Sequence, residues 1–339
     1  MKLIIKLIFL VSFTSFSQVG GTSVYNFLNV PTSARQAALG GKVITLLDDI
    51  NQPLWNPSTI NAELDNKLAV NYLNFLTDVS YASVSYAHMI NRNFGTIHGG
   101  ITYANFGEFI EADEDGNETG TFKAYDMALS LGYAYQVPFS NFSIGANAKL
   151  VNSVIQDYSS FGVVADFGIL YENDNQPYVF SLAVRNVGAQ ITTFDGTQEK
   201  VPLEILFGAS YRIENVPVRW YLTVDNLQKW NVSEENPSNS VTDINGTVIP
   251  EDISFLDNTM RHMVVGAEFF PEGGFNLRLG YNFRRAKELQ IEGIRTFAGF
   301  SAGFGLKMNR IKLNYAFTKY HPAENTSTFS LQINLDRRY

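Results

Sequence analysis

From about Lys67 onward the chain repeats one unit: a stretch that alternates apolar with small or polar residues, then breaks at a turn. This period of two marks a β-strand with two unlike faces. In one stretch Tyr125, Met127, Leu129, Leu131, Tyr133 and Tyr135 alternate with Asp126, Ala128, Ser130, Gly132, Ala134 and Gln136. The same phase recurs at Leu203, Ile205, Phe207, Ala209, Tyr211 and Ile213, at Phe275, Leu277, Leu279, Tyr281 and Phe283, and at Phe329, Leu331, Ile333 and Leu335.

A soluble sandwich alternates in the same way, so three further features are needed. First, Thr121–Val137 and Tyr158–Tyr171 are long, and a tilted membrane strand needs about nine to eleven residues where a soluble one commonly has five or six. Second, aromatic rings gather at strand ends, namely Tyr133, Tyr135, Tyr171, Trp220, Tyr221 and Tyr320, as expected at lipid–water interfaces. Third, short joints (Asn91–Asn93, Pro138–Asn141, Asn173–Gln176, Glu214–Pro217, Pro271–Gly274, Met308–Arg310) alternate with longer ones (Phe106–Gly120, Val151–Tyr158, Val187–Val201, Gln228–Met260, Ala286–Ile294, Lys319–Thr326). Outer-membrane barrels sort their periplasmic turns and extracellular loops in this way. The reading is an all-β fold: an antiparallel outer-membrane β-barrel of about fourteen strands over residues 66–339, with both chain ends on the short-turn side. Closure leaves no unpaired edge.

Two segments precede the barrel. Lys2 and Lys6 border an apolar run from Leu7 to Phe13, and Ser15 and Ser17 supply small residues after it, so Met1–Ser17 reads as a secretory signal cleaved before Gln18. A short buried N-terminal helix is the alternative. Residues 18–65 do not alternate. Ser33 is placed as the N-cap of one short helix and Gly40-Gly41 as its stop. The segment is too rich in Trp, Phe and Leu for typical disorder, so a plug folded into the barrel is expected rather than a flexible leader.

Composition removes whole classes of function. Cysteine is absent from the 339 residues, which excludes disulfides, thiolate chemistry and a lipoprotein anchor. A net charge of −8 offers no basic field for nucleic acid. His88, His98, His262 and His321 are scattered and no catalytic motif is present, so no enzyme and no cofactor is expected. His98 and Asp126 read as part of an inward polar network rather than as a catalytic pair. In the acidic stretch Glu111–Glu118, Asp113, Asp115 and Asn117 are weak calcium candidates, and a solvated turn is the simpler reading.

The stretch Tyr25, Phe27, Leu28, Pro31, Ser33, Arg35, Gly40, Gly41, followed by Trp55, Asn56, Pro57 and Ser58, resembles the N-terminus of the PorV/PorQ family. These are outer-membrane proteins of the type IX secretion system, related to the long-chain fatty-acid transporter FadL. Ser58 stands where the FadL plug has the alanine of an Asn-Pro-Ala motif. The likeness covers the plug residue by residue and the barrel only by architecture; the chain's length is nearer to PorQ. It implies a fourteen-stranded barrel with an N-terminal plug, and partners in a cell-surface attachment complex: a PorZ-like protein, with PorU and PorV.

Three functions therefore compete. One is docking, with surface loops on a rigid barrel holding a partner protein. The alternatives are FadL-like transport of a hydrophobic small molecule, or a PorV-like cargo shuttle. The loop Gln228–Met260, with Trp230, Pro237, Pro250, Phe255 and Leu256, is the candidate partner site, or alternatively mere lipopolysaccharide-facing cover. Asp126, Lys149, Asp166, Arg185, Glu204, Arg212, Arg278 and Arg284 are expected to face inward. Such charges can pair with one another and, through Arg35, with a plug, whereas they are costly in an acyl conduit. Docking is favoured, on a barrel whose outer face meets outer-membrane lipid.

Overall fold

The computed structural model describes residues 23–173, 176–233, 241–242, 248–249, 253–290, 297–321 and 324–336. The proposed signal segment, Pro237 and Pro250 lie outside them. Fourteen antiparallel strands form one closed barrel. In chain order they are β1 (Lys67–Leu76), β2 (Val79–Asn91), β3 (Gly95–Ala112), β4 (Glu118–Gln136), β5 (Phe142–Ile155), β6 (Tyr158–Glu172), β7 (Tyr178–Thr192), β8 (Glu204–Arg212), β9 (Val218–Val224), β10 (Met263–Phe269), β11 (Phe275–Asn282), β12 (Phe300–Met308), β13 (Ile311–Thr318) and β14 (Thr326–Asn334). Each strand pairs with its sequence neighbours, and β1 closes the ring on β14 from Lys67↔Asn334 to Asn74↔Ser327. Every strand thus has a partner on both sides, which is the condition for β structure in lipid. Among the described residues no helix is long and apolar enough to cross a membrane.

Alternation sorts the two faces as read from the sequence. Met127, Leu129, Leu131 and Tyr135 are exposed on the outside of β4, while Ala128 and Ser130 are buried within. On β11, Phe275, Leu277, Leu279 and Tyr281 point out, and Asn276, Arg278 and Asn282 point in. An apolar outer band, a polar interior and complete closure make the chain an outer-membrane, multi-pass β-barrel. At the short-turn end, Phe94 and Tyr133 lie 5.0 Å apart between ring centres, as do Phe142 and Tyr171. With Trp220 they form an interfacial belt.

Several expectations need correction. Phe283 does not continue β11; Asn282 accepts a hydrogen bond from the Arg285 amide and starts a short helix, α3 (Phe283–Glu288). Tyr221 and Tyr320 are not interfacial: Tyr221 is buried and donates to Glu268, and Tyr320 stacks under Arg285. Loop length does not alternate throughout. The expected loop at Phe106–Gly120 is mostly strand, turning at 113–117, and Val151–Tyr158 is a tight turn at 156–157. Long connections on that side belong to the second half: 193–203, 225–262 and 283–299. The largest carries helix α2 (Phe255–Arg261) and a two-stranded ladder, Val241–Thr242 with Val248–Ile249.

Residues 23–65 lie inside the barrel. Helix α1 (Ala34–Ala38) packs on β11–β14, and Ser33 holds its N-cap position without using its hydroxyl as a cap. Gly40 and Gly41, with φ of 97° and 92°, reverse the chain, and the Gly41 amide returns to the Gln36 carbonyl at 2.9 Å. The segment approaches the wall so closely that side chains are excluded. A Cβ on Gly280 would sit 2.2 Å from the Gly40 nitrogen, and one on Gly145 would sit 2.4 Å from the Pro57 carbonyl carbon.

Candidate functional site

The interior is a contact surface between the inner segment and the wall. Its centre is Arg35, whose guanidinium lies bidentate on Glu268 of β10 at 3.0 and 2.7 Å. Glu268 also accepts from Arg278 of β11 at 2.8 Å and from the Tyr221 hydroxyl at 2.9 Å. The third face of Arg35 meets Asp48, 2.9 Å away. Burial works against the Asp48 charge, but Arg35, Lys312 and Arg219 outweigh it and hold this carboxyl well below the usual carboxylate range.

A second network lies one step around the wall. Arg185 of β7 bonds Glu204 of β8 at 2.8 Å, donates to the Leu28 carbonyl at 2.8 Å, and stacks 3.6 Å over the Trp55 ring. Glu204 also pairs with Lys42 of the inner segment. Lys42 is 3.4 Å from Asp225, which Arg284 closes from α3. A third pair, Lys149 and Asp166, is 2.6 Å apart between β5 and β6. Asn147 beside it donates to the Pro53 carbonyl at 2.7 Å.

The motif residues fix the backbone of the inner segment. Asn56 donates to the Ile44 carbonyl and to the Ser181 hydroxyl, both at 2.7 Å, while its own oxygen accepts from the Ser58 amide and hydroxyl. Asn56-Pro57-Ser58 is therefore a polar clasp between the segment and β7. Tyr25, Phe27 and Leu28 join an apolar cluster with Leu73, Tyr81, Ala104, Ala128, Val151 and Val164 of β1–β6. Pro31 and Trp55 are likewise buried.

Of the eight charges expected inside, Asp126, Lys149, Asp166, Arg185, Glu204 and Arg278 are buried on the inner face. Arg212 is displaced: it sits half-exposed at the short-turn rim with Glu272. Arg284 faces the interior from α3 rather than from a strand. Sequence reasoning passed over Glu268, Lys42, Asp48 and Asp225. Glu268 occupies the inward phase of β10 opposite Arg278, so the alternation of Met263–Phe269 was the signal that could have found it. The other three lie outside strands and carry no periodic signal.

On the loop side, Trp230 stacks on Phe255 at 5.1 Å and on His262 at 5.3 Å. Phe255 and Leu256 are 74% and 69% exposed, which leaves an apolar tip on a braced base. At 113–117 the Asp113 carboxylate accepts from the Asp115 and Asn117 amides and from the Asn117 side chain, so its oxygens serve the turn. Among the described residues no group of three or more His, Asp or Glu is placed to hold a metal.

Cavities lie at both mouths. About 580 Å³ and 360 Å³ open at the short-turn end, and about 280 Å³ lies below the long loops. The mid-interior void at Phe27, Trp55, Ser130 and Lys149 is about 20 Å³, the scale of a single water.

No protein-family model matches the chain, and no curated protein is found similar to it. Solved structures share the fold. The toluene transporter TbuX of Ralstonia pickettii superposes with a TM-score of 0.54 at 10% identity, covering 92% of this chain and 100% of its own. A deltaS2 mutant of the monoaromatic hydrocarbon channel TodX gives 0.53 at 13%, covering 88% and 96%. The toluene transporter TodX of Pseudomonas putida gives 0.50 at 12%, covering 88% and 95%. At these identities the likeness is one of fold: a FadL-like barrel.

Proposed function

We propose that this barrel is a non-enzymatic docking platform of the outer membrane, PorQ-like in the type IX secretion system, whose long loops hold a cell-surface partner. Residues 18–65 serve as its plug and residues 66–339 as its wall. The observation that carries this reading is the closed interior. Arg35, Lys42 and Asp48 of the plug are ion-paired to Glu268, Glu204, Asp225 and Arg219 of the wall, where a hydrophobic solute would have to pass. Opening that interface strips buried charges of their partners. A rigid filled barrel suits the display of loops rather than conduction. The PorV/PorQ-like plug motif supports the placement in secretion, and the Trp230–Phe255–Leu256 tip supplies the apolar anchor such docking uses.

The alternative, uptake of a hydrophobic small molecule, draws on the shared fold with the toluene transporters. The two readings separate in one experiment. Wild-type barrel purified from gently solubilised outer membrane should bring a surface protein with it. Phe255→Ser with Leu256→Ser should lose that protein at least tenfold while the barrel still shows the gel shift of a folded, unheated barrel. Partner retention in the double variant, or bound apolar ligand with no protein, would overturn docking.

A further inference from the structure

Inward alternation places Lys307 of β12 directly opposite Lys312 of β13 in the antiparallel ladder at the short-turn mouth. Two ammonium groups in that register repel unless an anion lies between them. Among the described residues neither is ion-paired to a carboxylate. Next to them, on β11, Asn276 is 1% exposed, and both its amide oxygen and its amide nitrogen lack a partner. A buried amide left open on both atoms is a strong demand for a ligand. All three side chains line the same cavity of about 360 Å³.

The acidic groups of that cavity are mostly committed elsewhere. Asp48 is 2.9 Å from Arg35 and 3.6 Å from Arg219 and acts on Lys312 only from beyond ion-pair distance, and Glu272 pairs with Arg212. Glu63 alone among the lining carboxylates has no ion pair within the described residues, against Lys67, Lys307, Arg310 and Lys312, which have none either. The lining is therefore short of negative charge.

We infer that the short-turn mouth is a phosphate site, with Lys307 and Lys312 neutralising the anion and Asn276 reading it. Lysine binds phosphate as a point charge. Asn276 adds selectivity because it presents a free donor and a free acceptor together. At neutral pH inorganic phosphate carries both P–O⁻ and P–OH, so it answers both atoms, whereas a phosphomonoester, with a second pKa of about 6, is mainly the dianion and offers acceptors alone. Sulfate and carboxylate offer acceptors alone. The site is independent of what the surface loops bind.

Inorganic phosphate titrated calorimetrically into the full-length detergent-solubilised barrel should bind saturably. Sulfate should bind at least tenfold more weakly. Lys307→Gln and Lys312→Gln should each weaken phosphate at least tenfold, and Asn276→Ala should erase the preference over sulfate. Competition by glycerol phosphate distinguishes an ester-borne group from the free ion. Folding is checked by heat-modifiable migration, and the exposed Lys307 variant stands if the Lys312 variant does not fold. Absence of saturable phosphate binding, equal binding of sulfate, or unchanged affinity in the folded lysine variants would overturn the assignment.

Discussion

Apolar packing and hydrogen bonds hold the inner segment on both halves of the barrel, but its ion pairs to Glu268, Glu204, Asp225 and Arg219 gather on one half. Strands β2–β7 are tall, from 13 residues in β2 to 19 in β4, and the turns above β1, β3 and β5 are tight. Strands β8–β14 run from 7 to 9 residues and carry the long loops. Against the tall side, Val24, Tyr25, Phe27 and Leu28 are buried in an apolar cluster. Against the low side, Arg35 and Lys42 reach Glu268, Glu204 and Asp225. Apolar burial scales with area and is indifferent to small slips. Bidentate ion pairs fix position and orientation. The difference teaches that the low wall adds charge pairing to the packing and hydrogen bonds that both walls share, beneath the loops that carry the exposed aromatic tip.

The comparison breaks most sharply at Arg35. Arg35→Leu leaves the buried Glu268 and the partly exposed Asp48 with fewer partners, a loss of about 3–5 kcal/mol for one-sided removal of the buried Arg35–Glu268 pair. Limited proteolysis should then cut the inner segment while the wall stays resistant; an uncut segment would mean that the low side is not the anchor. On the tall side, Tyr25→Phe deletes one hydrogen bond of 2.7 Å to Ser160, which keeps its bonds to Gln190 and Thr192. The expected loss is about 1 kcal/mol, read as a small fall in the midpoint of heat-modifiable migration. A loss as large as that of Arg35→Leu would erase the distinction. The smallest effect is that of moderate acid. The Asp48 carboxyl is held well below its unfolded value near about 4, so its contribution is fully present above that pH and is lost only as pH falls through the lower folded value. Moving from pH 7 to pH 5 should leave protease resistance of the segment unchanged, and release at pH 5 would place a different titrating group at the low-side contact.

Much of the wall was legible because a pleat alternates except at bulges, such as the one that buries both Arg185 and Asn186 on β7. Leu129 out and Ser130 in follow from parity alone. The same parity gave six of the inward charges. It failed where the chain leaves the strand, as at Arg284 on α3, and where an inward residue reaches the rim, as at Arg212. Loop lengths misled because the charges of Glu108–Ala112 and Glu118–Lys123 read as polar loop, yet the ladder continues there, with Phe109 stacked on Phe122 across it at 5.2 Å. Asp48 and Lys42 were hidden for another reason. Their partners lie far along the chain, and nothing near them in sequence marks the pairing.

That distance bears on how the molecule is assembled. The Ala34 amide bonds the hydroxyl of Ser330 at 2.9 Å, a separation of 296 positions, and Ser23 bridges Lys200. Contacts this remote form slowly, since the intervening chain must be ordered first. Residues 23–65 cannot complete these contacts until β10–β14 exist, and a ring sealed around an empty centre would leave Glu268 without its bidentate partner Arg35. Insertion into the membrane and swallowing of the amino-terminal stretch are thus coupled events: the earliest-made part of the barrel's contents waits for the last-made part of its wall.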